Sequence, residues 1–206
     1  MNTHSFQGSM ARNSDKKELI INAAVKVFAD KGFYNAKVSD VARRAGVADG
    51  TIYLYFKSKD DLLISLFETK MAEIIERFYA ILKTSLTAIE KIRQFIYLYF
   101  RMIAENPDLA EVFQVELRQS SKFLKDYHNQ KFIDFLNLIG DIIHGGQVDG
   151  LFRSDINIHT MKLIIFGAMD ELARQWILTK DTPYDLDKTA VEMADTFIRS
   201  LSVQTG

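Results

Sequence analysis

The chain has no cysteine, only two prolines in 206 residues, and no long apolar run. Without cysteine there is no disulfide framework and no thiol nucleophile. No apolar stretch approaches the ~18 residues of a membrane span, and no secretory signal is visible, so a soluble cytoplasmic protein is expected. G-x-S-x-G and phosphate-loop motifs are also missing. His4, His128, His144 and His159 are scattered, without the paired spacing that metal ligands need. Asp170-Glu171, in an apolar helical stretch, fits a polar contact between helices better than a catalytic pair. The chain therefore reads as a non-enzyme with neither metal nor cofactor.

What is present is helical periodicity. Hydrophobic residues make up 48% of the chain, and long segments repeat them every three or four positions, so the fold class is all-α. Net charge is only −1, but it is unevenly spread. Residues 10–60 hold ten Lys/Arg against six Asp/Glu, and residues 61–206 hold sixteen against twenty-one. A basic first quarter on an acidic body fits a small nucleic-acid-reading head joined to a domain with another task. Residues 1–9, MNTHSFQGS, are polar and patternless. They fit either a tail or, at Phe6-Gln7-Gly8-Ser9, the scar of a protease site.

Residues 38–63, VSDVARRAGVADGTIYLYFKSKDDLL, say most about function. Val38, Val41, Ala42 and Ala45 recur at i, i+3, i+4 and i+7, the stripe of one short helix. Gly46 stands where a helix ends in the left-handed conformation that glycine adopts without steric cost. Ala48 to Leu54 reads as a second short helix, anchored by Val47, Ile52 and Phe56. Its other face presents Gly50, Thr51, Tyr53 and Tyr55. Helix, glycine-containing turn and helix is the unit that places its second helix in the DNA major groove.

The stretch resembles the DNA-binding segment of the TetR family of transcriptional repressors. GVADGTIYLYFKSKDDLL follows that family's small turn, its recognition helix ending in Y-x-Y/H-F, a lysine, and a Lys-Asp/Glu-x-Leu entry to the fourth helix. Lys37-Val38 stands where the family usually has Ser or Thr near the start of the second helix. The resemblance implies a three-helix DNA-binding head over residues 10–58. It also implies a ligand-binding and dimerisation body over residues 59–206, for about nine helices in all. Gly50, Thr51, Tyr53 and Tyr55 match positions that face the duplex; Lys57 and Lys59 lie where phosphate pairing is expected, and Ser39 and Arg43 occupy outward positions on the second helix. Tyr55 has a second reading as a half-buried prop. The implied partner is double-stranded DNA with a palindromic operator, bound by a homodimer paired through helices 8 and 9.

Along the rest of the chain, residues 15–31 read as the first helix, with Leu19, Ala23, Val27 and Phe28 as its buried stripe. A fourth helix of more than 20 residues starts near Lys59 and is expected to link head and body mechanically. Thr87-Ala88-Ile89-Glu90 is a capping box that opens the fifth helix, and Pro107 suits the first turn of the sixth, read as residues 107–121. The seventh is expected from about Lys122 to Ile143, ended by Gly145, Gly146 and Gly150; the last two cover about 156–179 and 186–201. The strings QVELRQSS and IFGAMDELARQWIL further resemble the fatty-acid-metabolism repressors of the FadR type within the family. That likeness implies a long-chain acyl-CoA effector, with no other cofactor. The expected effector residues are Phe100, Phe113, Leu117, Arg118, Tyr127, Phe135 and Phe166. Lys122, Lys125 and Lys131 join Arg118 as cations for the CoA phosphates; for Arg118 an internal ion pair with Glu116 is the other reading. Two rival functions stay open: an efflux regulator responding to another hydrophobic ligand, and a helical lipid carrier or enzyme without DNA function.

Overall fold

The computed structural model describes residues 4–120, 123, 127–179 and 184–203; for residues 4–14, 118 and 119 it describes the backbone alone. Among the described residues there are nine α-helices and no named strand: α1 (His4–Lys31), α2 (Val38–Ala45), α3 (Asp49–Tyr53), α4 (Lys59–Leu82), α5 (Ala88–Glu105), α6 (Pro107–Gln114), α7 (Gln130–Val148), α8 (Ile158–Leu178) and α9 (Leu186–Leu201). A 3₁₀ turn spans Glu116–Gln119. The chain divides into two compact units. A head unit holds residues 1–69 with 111–127, and a body unit holds residues 70–110 with 128–206. This differs from the expected division at 58/59, because residues 111–127 cluster with the head although they follow it by some forty positions in sequence. The boundary also falls inside α4 rather than before it.

The head buries Ile20, Ile21, Ala24 and Phe28 of α1 with Val41 and Ala42 of α2, Ile52 and Phe56 around α3, and Leu62, Leu63 and Leu66 of α4. The stripe of α1 is rotated from its expected phase. Ala23, Val27 and Phe28 are buried as expected, but Leu19 is half exposed, because Ile20 and Ile21 fill the inward positions of that turn. Phe33 packs edge-on against Phe28, with ring centroids 5.5 Å apart, an arrangement that aromatic quadrupoles favour.

In the body, α5 packs against α7, α8 and α9, and α7 packs against α8. The capping box that opens α5 is formed: Glu90 N–H donates to Thr87 Oγ1 at 3.3 Å, and Thr87 N–H donates to Glu90 Oε2 at 2.8 Å. Two helix ends depart from the sequence reading. The sixth helix stops at Gln114 instead of continuing to residue 121, and the chain tightens into the 3₁₀ turn, where Glu116 and Leu117 are buried. The start expected for the seventh helix, at Lys122, lies outside the described residues. Its end is Val148, so Gly145 and Gly146 are inside the helix they were expected to terminate. Glycine costs ~1 kcal/mol in a helix interior, but tertiary packing at Gly146 overrides this. The Phe152 ring lies directly over that glycine. Residues 151–153 are tied to the chain end by the Phe152–Ser202 bridge and by Arg153 N–H donating to the Leu201 carbonyl at 2.8 Å. The break in the chain comes at Gly150, with φ +70°.

Gly146→Ala should therefore be destabilising although alanine favours helix. A Cβ there would collide with the Phe152 ring, at Cδ2 first. Overpacking of this kind costs ~1–3 kcal/mol, which urea unfolding would read as a lower midpoint with an unchanged slope.

Candidate functional site

The head presents a helix-turn-helix built as a rigid corner. Gly46 takes φ +67° and its N–H caps α2. Ile52 and Phe56 are both 1% exposed and pin the second helix inward. With those two side chains committed, the opposite face turns to solvent. Tyr53 is 59% and Leu54 81% exposed; Gly50 has no heavy atom within 4 Å of the place a Cβ would take. Thr51 and Tyr55 are half-buried, and Lys57 is exposed. On α2, Ser39 is half-buried and the Arg43 side chain is largely free of protein despite a 3.6 Å approach to Asp40. The expected DNA-facing residues of α2, α3 and the loop beyond thus reach the surface of two helices that pack on each other.

The departure at Lys37-Val38 has a local solution. Asp40, three residues on, reaches back and accepts from the Lys37 N–H at 3.1 Å, and it pairs with Lys31 Nζ at 2.9 Å. One arm of a capping box remains without the usual Ser or Thr. The Lys31 contact, then the Lys37 amide, hold the Asp40 carboxyl below the usual carboxylate range.

Lys59 is placed otherwise than its sequence position suggested. Its ammonium donates to the carbonyls of Phe33 at 2.6 Å, Tyr34 at 3.1 Å and Ala36 at 3.0 Å. An ammonium has three protons, so its donors are used inside the head. Its nitrogen also lies 4.5 Å from the Phe33 ring centroid. The expectation of a phosphate contact is therefore corrected: this lysine fastens the turn between α1 and α2. The same turn meets a carboxylate, since the Phe33 N–H donates to Glu116, which is buried in the head unit.

The expected effector residues fall in two aromatic clusters. In the head unit Phe67 is the centre: Phe113 lies 5.2 Å from it, Phe123 5.1 Å and Tyr127 6.2 Å by ring centroid. Leu117 is buried in the same unit. The Tyr127 hydroxyl donates to Glu68 at 2.9 Å; burial, and then that carboxylate, push the phenol well above its ordinary pKa. In the body unit Phe135 lies 5.1 Å from Phe78, 5.5 Å from Phe95 and 6.2 Å from Phe166, while Phe100 is fully buried. The Arg118 side chain, Lys122 and Lys125 lie outside the described residues; Lys131 is half-buried at the start of α7. An open cleft of about 160 Å³ between the α4–α5 loop and α7 is lined by Leu82, Leu86, Lys91, Asp141 and Asp149 among others, and by none of the expected effector residues. Phe67, Phe78 and Glu68 contact the expected residues but were not singled out in the sequence. Their signal was present, since Phe67 and Phe78 stand eleven residues apart on α4, three helical turns and so one face. Among the described residues there is no cluster of His, Asp and Glu able to hold a metal, and no helix is long and apolar enough to cross a membrane.

Comparison with known proteins agrees with this arrangement. Residues 20–66 match the family described as bacterial regulatory proteins, tetR family, and residues 67–200 match the YsiA-like protein C-terminal region. The fatty acid metabolism regulator protein of Bacillus subtilis is 41% identical over 177 residues, which are 86% of this chain and 91% of that protein. The crystal structure of the transcriptional regulator FadR from Bacillus subtilis in complex with stearoyl-CoA superposes with TM-score 0.83 at 38% identity, covering 89% of this chain and 98% of that one. The fatty acid degradation regulator FadR from Bacillus halodurans gives 0.82 at 36% identity, with the same coverage of each chain. Carrying the helix-turn-helix head and the matching C-terminal region in one all-α chain, this protein belongs to the TetR family of bacterial regulatory proteins.

Proposed function

We propose that this chain is a transcriptional repressor of fatty-acid-metabolism genes that leaves its operator on binding long-chain acyl-CoA. The observation that carries the reading is the exposed reading face on α2 and α3, in a chain that is 38% identical, over 89% of its length, to a regulator whose crystal structure is in complex with stearoyl-CoA. Ser39, Arg43, Gly50, Thr51, Tyr53, Tyr55 and Lys57 form the DNA surface. Hydroxyls and cations there fix the register on phosphates, while Thr51 and the tyrosines reach base edges. Phe100, Phe113, Leu117, Tyr127, Phe135 and Phe166 provide apolar surface for an acyl chain, each buried methylene contributing up to ~0.8 kcal/mol. Arg118 is the first cation for the CoA phosphates. No catalytic role is assigned to any residue, and the protein is read as cytoplasmic.

One recognition helix reads one half-site, so a palindromic operator calls for a homodimer with its reading heads ~34 Å apart or a near multiple. Leu163, Ile164 and Leu178 on α8, with Val191 on α9, are between 44% and 52% exposed. These apolar side chains on consecutive helices support pairing through α8 and α9. Phe166 itself packs on Phe132, 4.9 Å away, so Ile164 is the cleaner position for a charge.

Tyr53→Ala should weaken operator binding by at least ~5-fold, about 1 kcal/mol, with the fold and assembly unchanged; equal binding in a band-shift titration would sink the DNA assignment. In calorimetry, palmitoyl-CoA should bind more tightly than octanoyl-CoA. Arg118→Ala should cost the ester more than free palmitate, because only the ester carries phosphates; no heat with any acyl-CoA would remove the fatty-acid reading and leave the repressor reading. Ile164→Glu should sediment as a monomer and lose operator affinity, whereas a variant that stays dimeric would move the interface elsewhere.

A further inference from the structure

The turn between α1 and α2 is gripped from two sides by groups far apart in sequence. Lys59 holds the carbonyls of Phe33, Tyr34 and Ala36. Glu116, 83 residues beyond Phe33, accepts from the Phe33 N–H. Its carboxylate oxygens also lie against Gly32, 3.6 and 3.8 Å from where a Cβ would stand. Gly32 has φ +74° and its N–H closes the end of α1 on the Phe28 carbonyl. A second tie lies four residues along: Ser120 Oγ donates at 2.7 Å to Asp60, the neighbour of Lys59 in the first turn of α4. The 3₁₀ turn and Ser120 thus meet the head on both flanks of the Lys59 grip.

We propose that Glu116 is a positioning residue for operator binding, and that the Glu116–Gln119 turn carries the state of the effector site to the recognition helices. The inference rests on the repressor reading and deepens it. Three features make this contact a switch rather than mere packing. Glu116 is 4% exposed, and a buried charge is costly unless hydrogen-bonded. A hydrogen bond to a charged group is short-ranged and directional, so a shift of the turn loses it outright. Finally, Phe113 and Leu117, which are assigned to the effector surface, lie three positions before Glu116 and one after it. Displacing either moves the carboxylate. While the contact holds, the α1–α2 turn fixes α2, which packs against α3; once it breaks, the reading face loses its register.

The test uses the whole chain with a fluorescent operator, with and without palmitoyl-CoA. For the parent, the effector should lower operator affinity at least ~5-fold, within the usual range of allosteric coupling. Glu116→Ala should bind palmitoyl-CoA no more weakly than the parent, bind operator at least ~5-fold more weakly without effector, and respond to effector by less than about twofold. Glu116→Gln keeps an acceptor for the Phe33 N–H and should recover most of both properties. Exchange of the Phe33 amide in the parent, read by NMR on phenylalanine labelled with ¹⁵N, should quicken at least ~10-fold when palmitoyl-CoA saturates the protein. This measurement needs no variant to fold. A Glu116→Ala protein that responds as the parent does, or a Phe33 amide unchanged while the operator is released, overturns the inference and leaves the repressor reading intact. A parent that ignores palmitoyl-CoA overturns both.

Discussion

The ammonium of Lys59 under the α1–α2 turn is the contact on which the head depends. Three backbone carbonyls converge on it, at 2.6 to 3.1 Å. Hydrogen bonds to charged groups contribute ~1.5–3 kcal/mol each, and carbonyls left without a donor carry their desolvation cost. The turn is therefore ordered by α4, and α2 starts one residue after it, at Val38. Lys37 N–H is taken by Asp40 and Phe33 N–H by Glu116. Each polar group of the turn that is named here is satisfied from a different direction. That over-determination lets a corner with little regular structure of its own hold two short helices in register.

Most of the exposed ion pairs add little to this. Arg93–Asp195, Arg101–Glu105 and Arg153–Asp155 have side chains exposed by 41% or more, and pairs in that setting contribute ~0–1 kcal/mol. The body holds together by aromatic packing. Phe78, Phe95 and Phe135 meet at centroid distances from 4.4 to 5.5 Å, and Gly146 makes room for Phe152. Such a core is held by non-directional apolar contacts. The turn in the head is held instead by directional bonds.

Much of this was legible in the chain itself. Helical periodicity, Gly46, the Ile52/Phe56 anchors and the Thr87–Glu90 box depend on residues within a few positions of each other, so the order of helices, the helix-turn-helix and the α5 cap could all be read locally. So could the outward turn of Tyr53, which follows once Ile52 and Phe56 are buried one residue before it and three after. The errors came where packing in space overrode the local pattern. Leu19 lost its inward place to Ile20 and Ile21. Gly146 stayed helical because Phe152 needed the space. The sixth helix broke at Gln114 ahead of a buried Glu116.

Lys59 shows the division most plainly. By sequence it is a cation just past a recognition helix, and charge patterning assigns such a residue to phosphate. Only the fold places three carbonyls from residues 33–36 around its nitrogen, because backbone acceptors have no sequence signature and their convergence depends on how α1 and α4 pack. Glu116 is the same case at longer range. Sequence alone determined that this is an all-α chain with a DNA-reading head, since periodicity and turn chemistry are local properties. Which charges face outward and which are used to hold the head was decided by tertiary structure, since a hydrogen bond needs two partners within ~3 Å in space, whatever their distance along the chain.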